Sequence, residues 1–178
     1  MAPRAVLWDI GNVIVRWNPR TLYQEFFKEP AECDRFLSHV CNMAWHVAHD
    51  LGVTFEDNRA PLLAQFPEYA DAIHAWETRW WDMFSGPIPE TEAAIEALHA
   101  AGVPQYGATN MSHETFPGTV AMSPAFKRLA DYVVSAHVKL IKPDPRFYAQ
   151  ACEQFGLAPA DVLFFDDSAA NIASAREF

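Results

Sequence analysis

The sequence predicts an α/β protein with a doubly wound parallel sheet and a small inserted helical cap. Short apolar runs that end in polar residues alternate along the chain with stretches of helical periodicity, which is the pattern of parallel strands covered by helices. A long helix-rich segment interrupts this alternation after the first strand. The chain has 178 residues, 51% of them hydrophobic and 20% charged, so it can bury a core without disulfides.

Two strand-like runs open the chain. Residues 5–10 (AVLWDI) are apolar and Gly11 follows them at once, which indicates a buried strand that meets a turn. Residues 13–17 (VIVRW) are strand-like again and stop shortly before Pro19. We therefore place the first strand and its turn ahead of the insertion.

The segment from residue 18 to residue 84 has the composition of a helical cap. It is rich in aromatic residues, Ala and Glu, which predicts several helices with short connections. The expected helix breaks are Pro30, Gly52, Pro61 and Pro67. The predicted domains are a core of residues 1–17 and 85–178 and a cap of residues 18–84.

Strands and helices alternate again in the second half of the chain. The predicted elements are a helix over 91–101, a weak strand over 104–109, a strand over 132–138, a helix over 146–155, a buried strand over 162–165 and a helix over 169–176. Because a fold of this type usually continues to a further strand, we expect the sequence to lack the C-terminal end of its protein.

Charge and cysteine content exclude several classes of protein. Thirteen Lys and Arg against 23 Asp and Glu give a net charge of -10, which opposes a nucleic-acid or anionic-membrane partner. The sparse cysteines Cys33, Cys41 and Cys152 are typical of a reducing compartment. No apolar stretch approaches about 18 residues, and we expect a cytoplasmic protein with a small-molecule partner. The oligomeric state is left open.

Four polar segments follow predicted strands. They are Asp9-Ile10-Gly11-Asn12-Val13, Thr109-Asn110, Lys142-Pro143-Asp144-Pro145, and Asp166-Asp167 with Asn171. Ligands in open α/β sheets bind at the carboxyl ends of the strands, where these segments would meet. The adjacent carboxylates of Asp166 and Asp167 are costly to bury unless a cation balances them.

The order and spacing of these segments resemble the haloacid dehalogenase (HAD) superfamily over nearly the whole chain. The first segment is similar to the branch that includes α-D-glucose-1-phosphate phosphatase, and the last is similar to the N-terminal phosphatase domain of soluble epoxide hydrolases. The resemblance implies a Rossmann-like core and Mg²⁺-dependent hydrolysis of a small organic phosphate, with sugar phosphates among the candidates.

The resemblance also implies the roles of individual residues. Asp9 matches the nucleophile that forms an aspartyl-phosphate, and Thr109 and Lys142 match catalytic residues that bind and neutralise the phosphoryl group. Asn110 matches a substrate-binding position. The implied metal ligands are Asp9, the backbone carbonyl of Gly11, and Asp167, and the residues expected to support them are Asp166 and Asn171.

One position departs from the pattern. HAD phosphatases usually carry a second Asp two residues after the nucleophile, which protonates the leaving group, and this chain has Gly11 there. Losing such a group typically costs about 10²–10⁴-fold in rate. We therefore expect a better leaving group, such as an anomeric oxygen, or an acid from the substrate or the cap. His113 is a candidate acid and substrate-binding residue.

The cap residues carry a further expectation. Trp45 is a predicted substrate-binding residue, and His46 and Asp50 could face the active site with it. His46, His49 and His113 are interpreted as surface or lid residues. The other cap aromatics are expected to pack mainly between helices, with a lid over the substrate as the alternative.

Two other functions stay open. A metal-independent 2-haloacid dehalogenase would also lack the second Asp, because halide leaves without a proton. The acidic pair Asp166 and Asp167 favours the phosphatase, because a metal-free pocket would crowd three carboxylates around Lys142. A catalytically weak HAD-fold binding or regulatory module is the third possibility, and Gly11 motivates it.

Overall fold

The chain folds around a four-stranded parallel sheet, in a computed structural model that describes residues 3–178. The strands are β1 (Ala5–Trp8), β2 (Val15–Trp17), β3 (Phe84–Pro87), β4 (Gln105–Thr109), β5 (Tyr132–Val134) and β6 (Val162–Phe165). The main sheet has the order β5-β4-β1-β6, and β2 pairs with β3 in a separate antiparallel ribbon. The predicted α/β class with a parallel sheet is confirmed.

Ten α-helices connect and cover these strands within residues 3–178. They are α1 (Pro19–Tyr23), α2 (Pro30–His39), α3 (Met43–Asp50), α4 (Phe55–Gln65), α5 (Ala70–Thr78), α6 (Pro89–Ala100), α7 (Phe116–Thr119), α8 (Ser135–Val138), α9 (Pro145–Phe155) and α10 (Ala169–Glu177). Short 3₁₀ helices lie at Pro67–Tyr69, Trp80–Met83, Pro124–Arg128 and Pro159–Asp161. None of these helices has the length and hydropathy that crossing a bilayer requires.

Strand β1 is the centre of the core. All four of its residues are buried, because it pairs with β4 on one side and with β6 on the other. Val6 and Trp8 belong to one apolar cluster and Leu7 to another, so the two faces of the sheet are both covered. The apolar run of the first strand follows from this double burial.

The parallel register brings the functional strand ends together. Trp8, the last residue of β1, pairs with Gly107 in β4 and with Phe165 at the end of β6. The residues that follow these strands therefore lie along one edge of the sheet.

Helices α1 to α5 lie between β2 and β3 in sequence and share a third apolar cluster. Its most deeply buried side chains include Leu22, Tyr23, Phe36, Ile73, Trp76 and Met83. A separate core of this kind is what a cap needs, although the boundaries at residues 18 and 84 stay a prediction. Cys33 and Cys41 are buried among these helices as free thiols.

Three local predictions are wrong. Pro61 lies inside α4 instead of ending a helix, because Phe55 and Leu62 pack into the cap cluster on either side of it. The strand predicted over 132–138 ends at Val134 and continues as α8. Strand β6 lies at the edge of the sheet and is half-buried, with Leu163 43% exposed.

The turn after β1 explains the Gly-Asn pair in the first motif. Asn12 adopts a left-handed backbone conformation, with φ 56°, which Asn tolerates better than most residues. Its side-chain Oδ1 accepts a hydrogen bond from the backbone N–H of Trp17 at 2.9 Å. The turn thereby fixes the start of the cap segment close to Asp9.

Candidate active site

A cavity of about 260 Å³ lies at the carboxyl edge of the main sheet, between the strand ends and the cap. Its core-side lining consists of Asp9, Gly11, Asn12, Thr109, Asn110, Met111, Lys142, Asp167 and Asn171. The remaining lining side chains are Trp17, Met43, His46, Val47, Asp50, Trp80 and Phe84. All four polar segments predicted to follow strands thus contribute residues to this one cavity.

Asp9 is a buried carboxylate at the end of β1. Its backbone N–H donates to the carbonyl of Phe165 at 2.8 Å, so pairing with β6 fixes its backbone. Its Oδ1 accepts from the backbone N–H of Ile10 at 2.7 Å and lies 2.9 Å from Lys142 Nζ. Burial raises the pKa of Asp9 to about 6, with Lys142 lowering it and Asp166 raising it further.

Lys142 is the buried cation of the site. Its ammonium donates to Asp9, to Asp166 Oδ2 at 2.6 Å and to the carbonyl of Ala108 at 2.9 Å. These three contacts use all three N–H donors, so the side chain has one fixed position. Two carboxylates are therefore held on either side of one ammonium.

Asn110 holds the backbone of Lys142. Its Oδ1 accepts from the Lys142 N–H at 2.8 Å, and its Nδ2 donates to the Lys142 carbonyl at 3.0 Å. The predicted role of Asn110 was to bind substrate with its side chain and backbone. The side-chain amide is occupied instead in positioning the lysine, although the residue still lines the cavity.

Asp166 is enclosed by hydrogen-bond donors. Its Oδ1 accepts from the backbone N–H of Ser168 at 2.8 Å and from Asn171 Nδ2 at 2.9 Å, in addition to the Lys142 contact at Oδ2. Its side chain is fully buried. Asp166 therefore fixes Lys142 and is itself fixed by the start of α10.

The carboxylates of Asp9, Asp166 and Asp167 can converge on a cation. Each offers one oxygen, and these oxygens lie within 4.8 Å of one another. Asp167 lines the cavity and makes no hydrogen bond or ion pair with any other group of residues 3–178. Three carboxylates against the single ammonium of Lys142 leave an excess negative charge, and an all-oxygen set suits Mg²⁺. The residues therefore fit this metal.

Thr109 ends β4 and its side chain is almost fully buried, beside the cavity. The contact of its Oγ1 with the carbonyl of Asn110 is long, at 3.5 Å. The hydroxyl is therefore available to a bound oxyanion.

The cap contributes one face of α3 to the cavity. Met43, His46, Val47 and Asp50 line it and recur at the i, i+3, i+4, i+7 spacing of a single helix face. His46 Nε2 lies 3.6 Å from Asp50 Oδ1, which is too long for a hydrogen bond. The His46 ring stacks against Trp17 and Trp80 at centroid distances of 5.7 and 5.6 Å.

Burial sets the charge of these cap residues. It lowers the pKa of His46 to about 3 and that of His49 to about 4, so both imidazoles are neutral at physiological pH. Burial raises the pKa of Asp50 to about 7. His49 is fully buried, so the interpretation of it as a surface or lid residue is wrong.

Trp45 and His113 do not reach the cavity lining. The Trp45 indole N–H donates to the carbonyl of Asn58 at 3.1 Å, and its ring packs edge-on against Trp76. It belongs to the interior of the cap, because it lies on the face of α3 opposite to that of Asp50. His113 lies in the loop after β4, and its expected role as the replacement acid has no geometric support.

Several lining residues were missed from the sequence. They are Met43, Val47 and Met111, which are apolar and carry no chemical signature. Only their position beside the strand ends, after folding, marks them as parts of a site.

Comparison with known proteins identifies the family. A family model described as a hydrolase, haloacid dehalogenase-like hydrolase, matches residues 3–178. The chain belongs to this family. The HAD resemblance stated from the motifs is confirmed.

The curated relatives of this HAD protein include two activities. (S)-2-haloacid dehalogenase 1 of Pseudomonas sp. (strain CBS-3) is 29% identical over 90 residues, which are 51% of this chain and 40% of that protein. Phosphatase MT3486 of Mycobacterium tuberculosis is 31% identical over 94 residues, 52% of this chain and 43% of that protein. The match thus spans less than half the length of either relative.

Solved structures show the same fold over the whole chain. A HAD family enzyme of Bacteroides thetaiotaomicron, in complex with magnesium and inorganic phosphate, aligns with a TM-score of 0.72 at 16% identity, over 99% of this chain and 90% of that one. L-2-haloacid dehalogenase of Xanthobacter autotrophicus, with chloropropionic acid covalently bound, aligns with a TM-score of 0.66 at 16% identity, over 99% and 74%. Both show the fold.

We predict that His46 makes the fold acid-sensitive. The pKa of His46 in the folded protein is far below the pKa of a histidine in the unfolded chain. At this residue, only the unfolded state therefore takes up a proton as the pH falls below about 6.5. Replacing it in H46F should flatten the pH dependence of the unfolding free energy by about 1.4 kcal/mol per pH unit between pH 6 and 4. Urea titrations at several pH values measure this slope.

The exposed His74 supplies the control for that experiment. The variant H74Q should keep the wild-type slope. A wild-type slope in H46F would show that His46 is not held neutral in the folded protein.

Proposed function

We propose that this HAD hydrolase is a Mg²⁺-dependent phosphatase that acts on a small organic phosphate monoester through an aspartyl-phosphate on Asp9. The cluster of Asp9, Asp166 and Asp167 around Lys142 carries this proposal. A phosphate dianion can approach three carboxylates only if more positive charge is present than one lysine supplies. A bound Mg²⁺ would supply that charge.

The residues divide the work of phosphoryl transfer. The Asp9 carboxylate is the nucleophile, and the ammonium of Lys142 at 2.9 Å favours its ionised form against the effect of burial. The Thr109 hydroxyl would donate to a phosphoryl oxygen. Asp9, the Gly11 carbonyl and Asp167 would hold the metal, with Asp166 and Asn171 behind them.

The comparisons support this proposal without deciding it. The matches include a phosphatase of Mycobacterium tuberculosis and a HAD enzyme bound to magnesium and inorganic phosphate. They also include several (S)-2-haloacid dehalogenases.

A metal-independent 2-haloacid dehalogenase is the second candidate, and Gly11 favours it. Its substrate would carry a carboxylate into a cavity that already holds the carboxylates of Asp9 and Asp167. Lys142 is the only Lys or Arg side chain in the described lining, and all its donors are occupied. The charge of the cavity therefore favours the phosphatase.

The organic half of the substrate should be apolar. The side chains of Met43, Val47, Phe84 and Met111, which offer no hydrogen-bond donor or strong acceptor, line the cavity beside the polar cluster. A sugar would place hydroxyl groups against these side chains, and each buried hydroxyl without a partner costs about 1–3 kcal/mol. We therefore propose an alkyl or aryl phosphate in preference to the sugar phosphates that the motif resemblance suggested.

The first prediction from this function concerns the nucleophile. Purified protein should release inorganic phosphate from p-nitrophenyl phosphate with Mg²⁺ and lose this activity in EDTA. D9N should lower the rate by at least about 10³-fold, because no carboxylate remains to attack phosphorus. D71N, which changes an exposed cap carboxylate, should match the wild type.

A different result would select one of the other functions. EDTA-insensitive chloride release from 2-chloropropionate, without phosphate release, would establish the dehalogenase. Ligand binding with no turnover of either substrate class would indicate the binding module.

The second prediction concerns the organic group. Cyclohexylmethyl phosphate and glucose 6-phosphate have similar size and both release a primary alcohol. The kcat/KM for cyclohexylmethyl phosphate should be at least about 10-fold higher, the factor expected from one unpaired buried hydroxyl. Equal values, or a preference for the sugar, would contradict the apolar assignment.

A further inference from the structure

The proposed phosphatase needs a source for the proton of its leaving group, and the inference that follows rests on that function. Gly11 stands where a carboxyl group would serve this purpose, and it has no side chain. An alkoxide leaves slowly without a proton, so a nearby acid should accelerate the reaction by about 10²–10⁴-fold.

Among the described lining, few groups can serve as this acid. Lys142 uses all its donors on Asp9, Asp166 and Ala108. The His46 ring is neutral and buried between two tryptophans. Asp167 belongs to the cluster that fits a cation. Asp50 is the one cavity-lining carboxyl group outside that cluster.

Asp50 has the environment of a carboxylic acid that keeps its proton. It is 5% exposed, and its Oδ1 is buried without a hydrogen-bond partner in the described chain. A buried carboxylate with an unsatisfied oxygen is costly, whereas the protonated form is tolerated. The Asp50 side chain lines the same cavity as Asp9.

The position of Asp50 is fixed relative to the catalytic core. It is the last residue of α3, and its backbone carbonyl accepts from Ser135 Oγ at 2.6 Å. The same hydroxyl accepts from the backbone N–H of Met111, two residues after Thr109, at 2.9 Å. One serine therefore joins the end of the cap helix to the loop that follows β4.

The charged groups around Asp50 act in opposite directions. Lys142 favours its carboxylate form, Asp9 favours its acid form, and the burial of the group favours the acid most strongly. The neutral His46 ring, 3.6 Å away, supplies no positive charge. The carboxyl group can therefore give up a proton and recover it near neutral pH.

We propose that Asp50 is the catalytic acid–base residue of this enzyme and takes the role of the carboxyl group missing at Gly11. In the first step an oxygen of the Asp9 carboxylate forms a bond to phosphorus, and the bond from phosphorus to the ester oxygen breaks. The electron pair stays on the ester oxygen, which takes the proton of Asp50, so that the alcohol leaves and Asp50 becomes a carboxylate.

The second step restores both residues. The Asp50 carboxylate takes a proton from a water molecule whose oxygen attacks the phosphorus of the aspartyl-phosphate. The bond from phosphorus to the Asp9 oxygen breaks, its electrons return to the Asp9 carboxylate, and inorganic phosphate is released. The sum is hydrolysis of one monoester by one water molecule.

Two substrates that differ in their leaving groups distinguish a catalytic role of Asp50 from a structural one. In D50N, kcat/KM should fall by at least about 100-fold for cyclohexylmethyl phosphate, whose alkoxide needs a proton. For p-nitrophenyl phosphate, whose phenolate leaves unaided, it should fall less than about 10-fold. D50E should recover part of the loss, and D71N should match the wild type on both substrates.

Equal losses on both substrates would overturn the proposal for Asp50 and leave the phosphatase function standing. Equal losses with a weaker apparent affinity for Mg²⁺ would assign Asp50 to the metal site instead. Absence of phosphate release by the folded wild type from either substrate would overturn the function and this role together.

A second measurement needs no variant and covers the case in which D50N fails to fold. Across a series of substituted phenyl phosphates, a catalytic acid makes kcat/KM of the wild type, which reports the step that releases the phenol, depend only weakly on the pKa of that phenol. A nearly flat relation supports the proposal. A steep fall with rising phenol pKa would overturn it.

Discussion

The site depends on one buried ammonium between two carboxylates. Lys142 Nζ lies 2.9 Å from Asp9 Oδ1 and 2.6 Å from Asp166 Oδ2. The side chains of Lys142, Asp9 and Asp166 are 1%, 11% and 0% exposed. Removing the lysine would leave two uncompensated buried carboxylates, a change that typically costs about 3–5 kcal/mol. The hydrogen bonds of Asn110 to the lysine backbone and the donors around Asp166 hold this arrangement in place.

The same arrangement is the reason for proposing a cation and an uncharged acid in the cavity. The single positive charge of Lys142 is shared between Asp9 and Asp166, so it cannot also balance Asp167 and an incoming anion. The cap adds no Lys or Arg to the described lining and contributes apolar rings, a neutral imidazole and the Asp50 carboxyl group. In the proposed phosphatase, core and cap therefore divide the chemistry, since the polar edge of the sheet would handle phosphorus and the cap would handle the organic group and its proton.

Much of this could be predicted from the sequence because parallel strands end at a common edge. That rule brings Asp9, Thr109 and Asp167 together without knowledge of any side-chain position. The orientation of α3 could not be predicted, since aromatic residues and histidines occupy both of its faces. Trp45 was therefore assigned to the substrate, whereas it packs inside the cap. The position of β6 at the edge of the sheet could not be predicted either, because an apolar run does not show how many neighbouring strands it pairs with.

Calorimetric titration with Mg²⁺ tests directly whether the carboxylate excess around Lys142 forms a cation site. We expect binding at one site, weakened by at least about 10-fold in D167N, since a direct ligand matters no less than its supporting groups. D161N, which changes a carboxylate near Arg4 outside the cavity, should bind as the wild type does. Absence of Mg²⁺ binding, or equal binding by D167N, would show that these carboxylates do not form a metal site.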